Sequence, residues 1–314
     1  MKEQTVVVAL GGNALAPAGE RATIANQFRH TRESLAPIVD LAREGWRIAI
    51  VHGNGPQVGD SLARNEIAAG EIEPLPLGVL VAETAGWIGY MIQQSLQNAL
   101  ERAKIGRDVI TVITQTEVAH DDPNLRAPSK PIGKELSEER RAILARHGVT
   151  VGQDAAGRWR RLTASPIPID LVEASIVRRL VEQGTIVITA GGGGPPVYRD
   201  PVLRLEGVDA VVDKDRAAAI LARELHAALL LILTDIDAVY RDYGTDRAAP
   251  IQRMTAAEAQ SLLDSGQCGQ GSMRPKVEAA IGFARTGGRA IIAELSQGLA
   301  AIRGTTGTTI VAEG

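Results

Sequence analysis

The chain has 314 residues, of which 45% are hydrophobic and 23% charged, with a net charge of −3. That is enough chain for a sizeable core in one large α/β domain or two lobes, with the composition of an ordinary soluble globular protein. Aromatic content of 3% with no basic tail argues against a nucleic-acid binder, the lack of any long apolar run argues against a membrane span, and the single Cys268 excludes an internal disulfide or a cysteine-based metal cluster.

Residues 5–10 (TVVVAL) form a short β-branched run, read as a buried strand that opens the chain without a signal-peptide pattern. A reducing, cytoplasmic location is expected. The strand ends in Gly11-Gly12-Asn13. Residues 21–44 have helical spacing, and Pro37 should kink that helix or mark a second start near Ser34. Gly45 closes that helix. Residues 47–51 (RIAIV) are a second strand running into His52-Gly53-Asn54-Gly55-Pro56. Helices are expected over residues 57–69 and 79–104, and a third strand over 108–114 (DVITVIT). This alternation implies a largely parallel sheet with helices on both faces.

Residues 118–165 break the pattern with a Pro-rich loop, a charged helix and a hairpin around the turn Asp154-Ala155-Ala156-Gly157. They read as an inserted subdomain. Helix is expected again over 169–183, then a strand over 185–189 that ends in Gly191-Gly192-Gly193-Gly194. A buried strand over 227–233 ends in Thr234-Asp235. Helices over 255–266 and 273–286 and strands over 289–293 and 308–311 complete the chain.

Three strand ends thus carry glycine loops. Glycine lets backbone N–H groups converge on one point, and such nests bind phosphate oxygens. In an open α/β sheet ligands sit beyond the carboxyl ends of the strands. One such loop is usually a plain turn; three together point to an anion site. No loop is followed by the Lys of a P-loop, and the run from Gly53 has Val58 where the third glycine of a dinucleotide fingerprint belongs.

The cations are unevenly written. Only six of 34 are lysine, and three of those sit in motif-like stretches: Lys130, Lys214 and Lys276. Phosphoryl transfer needs positioned cations on the transferring group. Lys214 lies between Asp213 and Asp215, either of which could aim the ammonium groups, at the start of a helix that Asp213 could cap. Lys276 follows Pro275 at another helix start. Lys130 lies in a stiff insertion loop, where a solvated cation is the plainer reading. His52 reads as packed under a strand end rather than as a base. The other histidines show no metal-ligand spacing, and no Ser/His/Asp set is visible.

Together these stretches resemble the carbamate kinases of the amino-acid kinase family. The likeness spans the chain, through Ala9-Leu10-Gly11-Gly12-Asn13-Ala14, the run from His52 to Gly59, Lys130-Pro131-Ile132-Gly133, the four glycines, Asp213-Lys214-Asp215, Leu233-Thr234-Asp235, and the run from Gly271 to Ala280. The Lys-Pro-Ile-Gly loop in an insertion looks specific to carbamate kinases within that family. The resemblance implies one α/β domain over 1–314, a three-layer sandwich around an open, mostly parallel eight-stranded sheet. Residues 1–183 would form the acceptor half, with 118–165 as a protruding lid, and 184–314 the nucleotide half. It implies reversible transfer between ATP and carbamate to give ADP and carbamoyl phosphate, often in arginine breakdown, by a homodimer.

The resemblance assigns Lys214 and Lys276 to the transferring group, Asp215 to orienting them, and Lys130 to the acceptor. Gly11, Gly12, Asn13, Gly53 and Asn54 would supply donors, joined by the loop Gly191, Gly192 and Gly193. Thr234, Asp235, Tyr240 and Met273 would meet the nucleotide. Mg²⁺ would be held mainly by nucleotide phosphates, with no protein ligand named. The alternatives are a sibling kinase acting on acetylglutamate or UMP, or a non-catalytic nucleotide sensor. Departures from the pattern are Pro195-Pro196 and Arg158-Trp159-Arg160-Arg161, which bear on the lid geometry.

Overall fold

The computed structural model describes residues 4–12, 15–17, 20–154, 156–267 and 273–313. Asn13, Ala14, Ala155, Gly271 and Ser272 of the motifs above therefore lie outside the described residues. Eight strands form the central sheet, in the order Arg253–Thr255, Thr308–Val311, Arg289–Glu294, Leu229–Thr234, Thr5–Leu10, Arg47–His52, Ile186–Ile188, Val109–Thr111. Neighbours run parallel except Arg289–Glu294 against Thr308–Val311.

The inner strands are apolar runs rather than alternating ones because both faces are covered. Along Thr5–Leu10, Val7 and Ala9 face a layer containing the helices Ala174–Glu182, Lys214–Glu224 and Met273–Ala284. Val6, Val8 and Leu10 face the layer of Ala36–Arg43 and Leu77–Arg102. This is the expected three-layer sandwich. Ile50 is fully buried on the second face; its truncation to Ala would cost about 2–5 kcal/mol. Among the described residues, no helix is long and apolar enough to cross a membrane.

Local chemistry sets the strand starts. Helix Ala36–Arg43 has Pro37 in its first turn and ends where Gly45 turns to φ +83°; Gly45 N then donates to Ala42 O and Trp46 N to Leu41 O, releasing the chain into Arg47–His52. The third strand is shorter than expected, Val109–Thr111. The helix expected over 169–183 begins only at Ala174. Its first residues instead form the strand Pro168–Leu171, antiparallel to Thr116–Val118. Glu173 fixes the changeover, its carboxylate accepting from Gln115 N at 2.7 Å and Gln115 Nε2 at 2.8 Å.

Those two strands belong to a second sheet with Pro196–Asp200 and Arg204–Gly207, which the sequence reading did not foresee. Pro195 and Pro196 lie there, Pro195 O accepting from Thr116 N at 3.0 Å. Residues 118–165 leave from this sheet and return to it. They contain a three-stranded antiparallel sheet, Lys130–Ile132, Trp159–Thr163, Val151–Gln153, and the helix Glu138–Arg146. The expected hairpin is present, with Gly157 N donating to Asp154 O at 2.9 Å.

Candidate active site

Parallel register brings the carboxyl ends of the strands into line. Leu10 stands opposite both His52 and Leu233, and Thr234 opposite Glu294. The ladder runs one step further: Gly11 N donates to Leu233 O and Gly53 N to Leu10 O, each at 3.1 Å. A cleft of about 1010 Å³ opens over these ends. Gly11, Gly12, Gly53, Asn54, Gly192, Thr234 and Asp235 line it from the sheet side, with Lys130, Lys214, Asp215 and Lys276 around them.

The glycine loops touch. A Cβ at Gly53 would stand 3.0 Å from Gly12 N and 3.3 Å from Lys214 Cδ. Gly192 has φ +68°, and a Cβ there would fall 2.2 Å from Asn54 Nδ2. Asn54 is buried and donates to Thr84 Oγ1 at 2.9 Å, so it does not cap the helix Gly55–Ala68 that follows it. That leaves the first N–H groups of the helix without a side-chain acceptor, the usual condition for holding an anion. Gly191 and Gly193 lie behind this lining, against His52 and the Val212 carbonyl.

Asp215 is the centre of the cation cluster. It is 2% exposed in the first turn of the helix Lys214–Glu224. One carboxylate oxygen pairs with Lys214 Nζ and the other accepts from Lys276 Nζ at 3.3 Å. Lys276, on the helix Met273–Ala284, is 7% exposed. Burial lowers the Lys214 pKa, Asp215 opposes that, and Lys276 adds to it; the net shift is downward. The charged lysine is therefore poorly solvated and responsive to any added anion.

Asp213 does more than cap. Its Oδ1 accepts from Asp215 N at 2.9 Å, as an N-cap should, and its Oδ2 accepts from Lys130 Nζ at 2.8 Å. Burial raises the Asp213 carboxyl, but Lys130 with Lys214 and Lys276 outweighs it and holds the group well below the usual carboxylate range. The second role was not legible, because Lys130 is 83 residues away.

His52 is fully buried, with Nδ1 at 3.0 Å from Gly53 O. Burial lowers its pKa to about 4, with Lys214 adding to the shift, so it is neutral at physiological pH and out of reach of a ligand. Tyr240 and Met273 do not line the cleft. Tyr240, in the hairpin Val239–Arg241 with Ala249–Ile251, donates its hydroxyl to Asp237. Three residues not assigned to the site from sequence stand at the lip: Glu278 accepts from Arg216 Nη2 at 2.7 Å and Arg274 Nε at 2.8 Å. From the insertion, Asp154 holds Arg158 and Arg160 at 3.0 and 3.2 Å beside the cleft. The arginine-rich hairpin was the signal for Arg158 and Arg160, and the stretches around Lys214 and Lys276 for the other three. Among the described residues no group of three or more His, Cys, Asp or Glu could hold a metal ion.

Residues 4–294 match the amino acid kinase family. The chain is 42% identical to the carbamate kinase of Pyrococcus horikoshii over 98% of this chain and 99% of that one. It is 46% identical to that of Halobacterium salinarum over 97% of each. Carbamate kinase from Giardia lamblia superposes with a TM-score of 0.93 when bound to citric acid and 0.90 when bound to AMP-PNP, at 35% and 34% identity, covering 99% of both chains in each case. The chain belongs to the amino acid kinase family.

Proposed function

We propose that the protein transfers a phosphoryl group reversibly between ATP and carbamate, giving ADP and carbamoyl phosphate. The observation that carries the reading is the pair Lys214 and Lys276, each held on its own oxygen of the buried Asp215 beneath two glycine loops. Whole-length similarity to carbamate kinases supports the choice of acceptor.

A carbamate oxygen attacks the γ-phosphorus as the bond to the β–γ bridging oxygen breaks and ADP leaves. The acceptor is already an anion, so no proton has to be removed; this fits a cleft with no histidine among its described lining residues, His52 beside it being buried and neutral. The chemistry is then positioning and charge neutralisation. Lys214 and Lys276 meet the equatorial oxygens of the group in transfer. Asp215 keeps the two ammonium groups apart and aimed. The N–H groups of Gly12 and Asn54 hold phosphate and acceptor oxygens; those of Gly11 and Gly53 are already given to the Leu233 and Leu10 carbonyls, so these two glycines serve by letting the ligand come close to the backbone, with Gly192 closing the wall. Thr234 and Asp235 face the nucleotide; Tyr240 and Met273 reach it only where the base extends past the cleft lining.

Lys130 brings a cation to the acceptor from residues 118–165, which act as a lid over the acceptor half (1–183), while 184–314 hold the nucleotide. Asp213 and Asp215 are occupied by lysines, and among the described residues no group of three or more His, Cys, Asp or Glu could hold a metal ion. That suits Mg²⁺ carried by the nucleotide phosphates, where it would offset their charge. The exposed Ile67, Ile72, Leu75 and Val79 provide apolar surface for the homodimer, and the enzyme works in the cytoplasm. Purified protein given carbamoyl phosphate, ADP and Mg²⁺ should form ATP. No ATP in that assay, with transfer from ATP to acetylglutamate or UMP, overturns the reading.

A further inference from the structure

Among the contacts that fasten the insertion to the rest of the molecule, two concern the position of Lys130. One is the Lys130–Asp213 pair in the cleft. The other lies outside the cleft, on the helix Gly55–Ala68, and takes no part in the chemistry above. We propose that Glu66, near the end of that helix, is a positioning residue that sets Lys130 against the acceptor by tethering the insertion. The proposal rests on the role given to Lys130 above.

Glu66 joins two separate elements of the insertion. One carboxylate oxygen pairs with Arg140 of the helix Glu138–Arg146, the other with Arg161 of the strand Trp159–Thr163. Arg161 stands opposite Ile132 in the ladder in which Thr163 stands opposite Lys130. The tether is thus made one strand over from Lys130 and two residues along. The strand carrying Lys130 is seated at the other end of the same helix. Gly133 N donates to Gly55 O at 3.2 Å, and Gly59 approaches Gly133 so closely that a Cβ at Gly59 would fall 2.0 Å from Gly133 Cα.

Gly55 and Glu66 are about 16 Å apart along the helix axis at the usual rise per residue. Two attachments at that spacing define an angle, where one would define only a pivot. The helix itself starts at Asn54-Gly55, in the wall of the cleft. The geometry therefore runs as one lever from the acceptor loop, along the helix, through Glu66 to the insertion and back to Lys130. A surface ion pair is ordinarily worth about 0–1 kcal/mol. Glu66 differs in using both oxygens on partners that are themselves mostly covered, 32% and 18% exposed for the Arg140 and Arg161 side chains. Lys134–Asp60, between the two attachments, has a 68% exposed lysine and holds less.

The test compares Glu66→Gln, Lys130→Ala and the double variant in the full chain. Glu66→Gln should raise KM for carbamoyl phosphate about tenfold, as a small misplacement of a positioning group does, with KM for ADP within about twofold. In the Lys130→Ala background it should add nothing further. Amide hydrogen exchange at residues 130, 132 and 133 should quicken in Glu66→Gln while the central strands keep their protection. A lowered melting temperature with both KM values and that exchange unchanged overturns the proposal, since Glu66 would then be a structural ion pair only. If Lys130→Ala leaves KM for carbamoyl phosphate unchanged, it is the reading of Lys130 that fails. The tether is then judged by the exchange alone, and unchanged exchange overturns it.

Discussion

Two sets of lysines meet in the cleft, and they are held differently. Lys214 and Lys276 rise from helices packed on the central sheet and share one buried carboxylate. Lys130 comes from a three-stranded sheet outside the sandwich, is 25% exposed at its side chain, and pairs with the capping residue Asp213. The first pair is fixed by core packing, the second contact by ion pairs on a separate unit. Groups that must not move between substrate and product belong with the first. A group that must let a small anion in and out belongs with the second.

The buried pair is tested most severely by Lys214→Ala. With the buried cation gone, kcat for ATP formation should fall about 10²–10³-fold, the usual loss when one transition-state donor is removed, while circular dichroism and melting stay near wild type. Near-normal turnover would remove Lys214 from the chemistry. Asp215→Asn should cost about 10²-fold in kcat by the same reasoning. It should also cost about 3 kcal/mol of stability in urea, because two buried ammonium groups lose their partner. A variant with full stability would show that the lysines do not depend on that carboxylate.

The buried character of this region also predicts a pH dependence. The His52 pKa is about 4 in the fold, against about 6.5 unfolded. The unfolded chain therefore binds the extra proton between those values, and stability falls as pH drops through that window. From pH 6.5 to 5 the loss should be about 2 kcal/mol in urea denaturation, and a His52→Gln variant should lack it. The smallest effect is expected from the outer lysine. Lys130→Ala should raise KM for carbamoyl phosphate about tenfold and leave ADP binding unchanged in calorimetry. A loss of ADP affinity with acceptor kinetics intact would put Lys130 on the nucleotide side.

The three glycine loops could be placed at strand ends from sequence because each follows an unbroken apolar run that only a doubly covered strand requires. Residues 169–183 were misread because strand Pro168–Leu171 is only four residues long and leads straight into a helix. The whole second sheet was missed for the same reason. Its strands are three to five residues long, too short for a period of two to stand out.

Asp213-Lys214-Asp215 shows where local reading stops. A helix start with a capping aspartate and two carboxylates around a lysine can be read from three letters. Which carboxylate serves which lysine cannot. The helix turns Asp215 inward, to Lys276 across 61 residues of chain, and leaves Asp213 toward the insertion, to Lys130 across 83. Charge pairing over such separations depends on the direction each side chain takes from its own element, and only the packing of the layers and the seating of the insertion decide that.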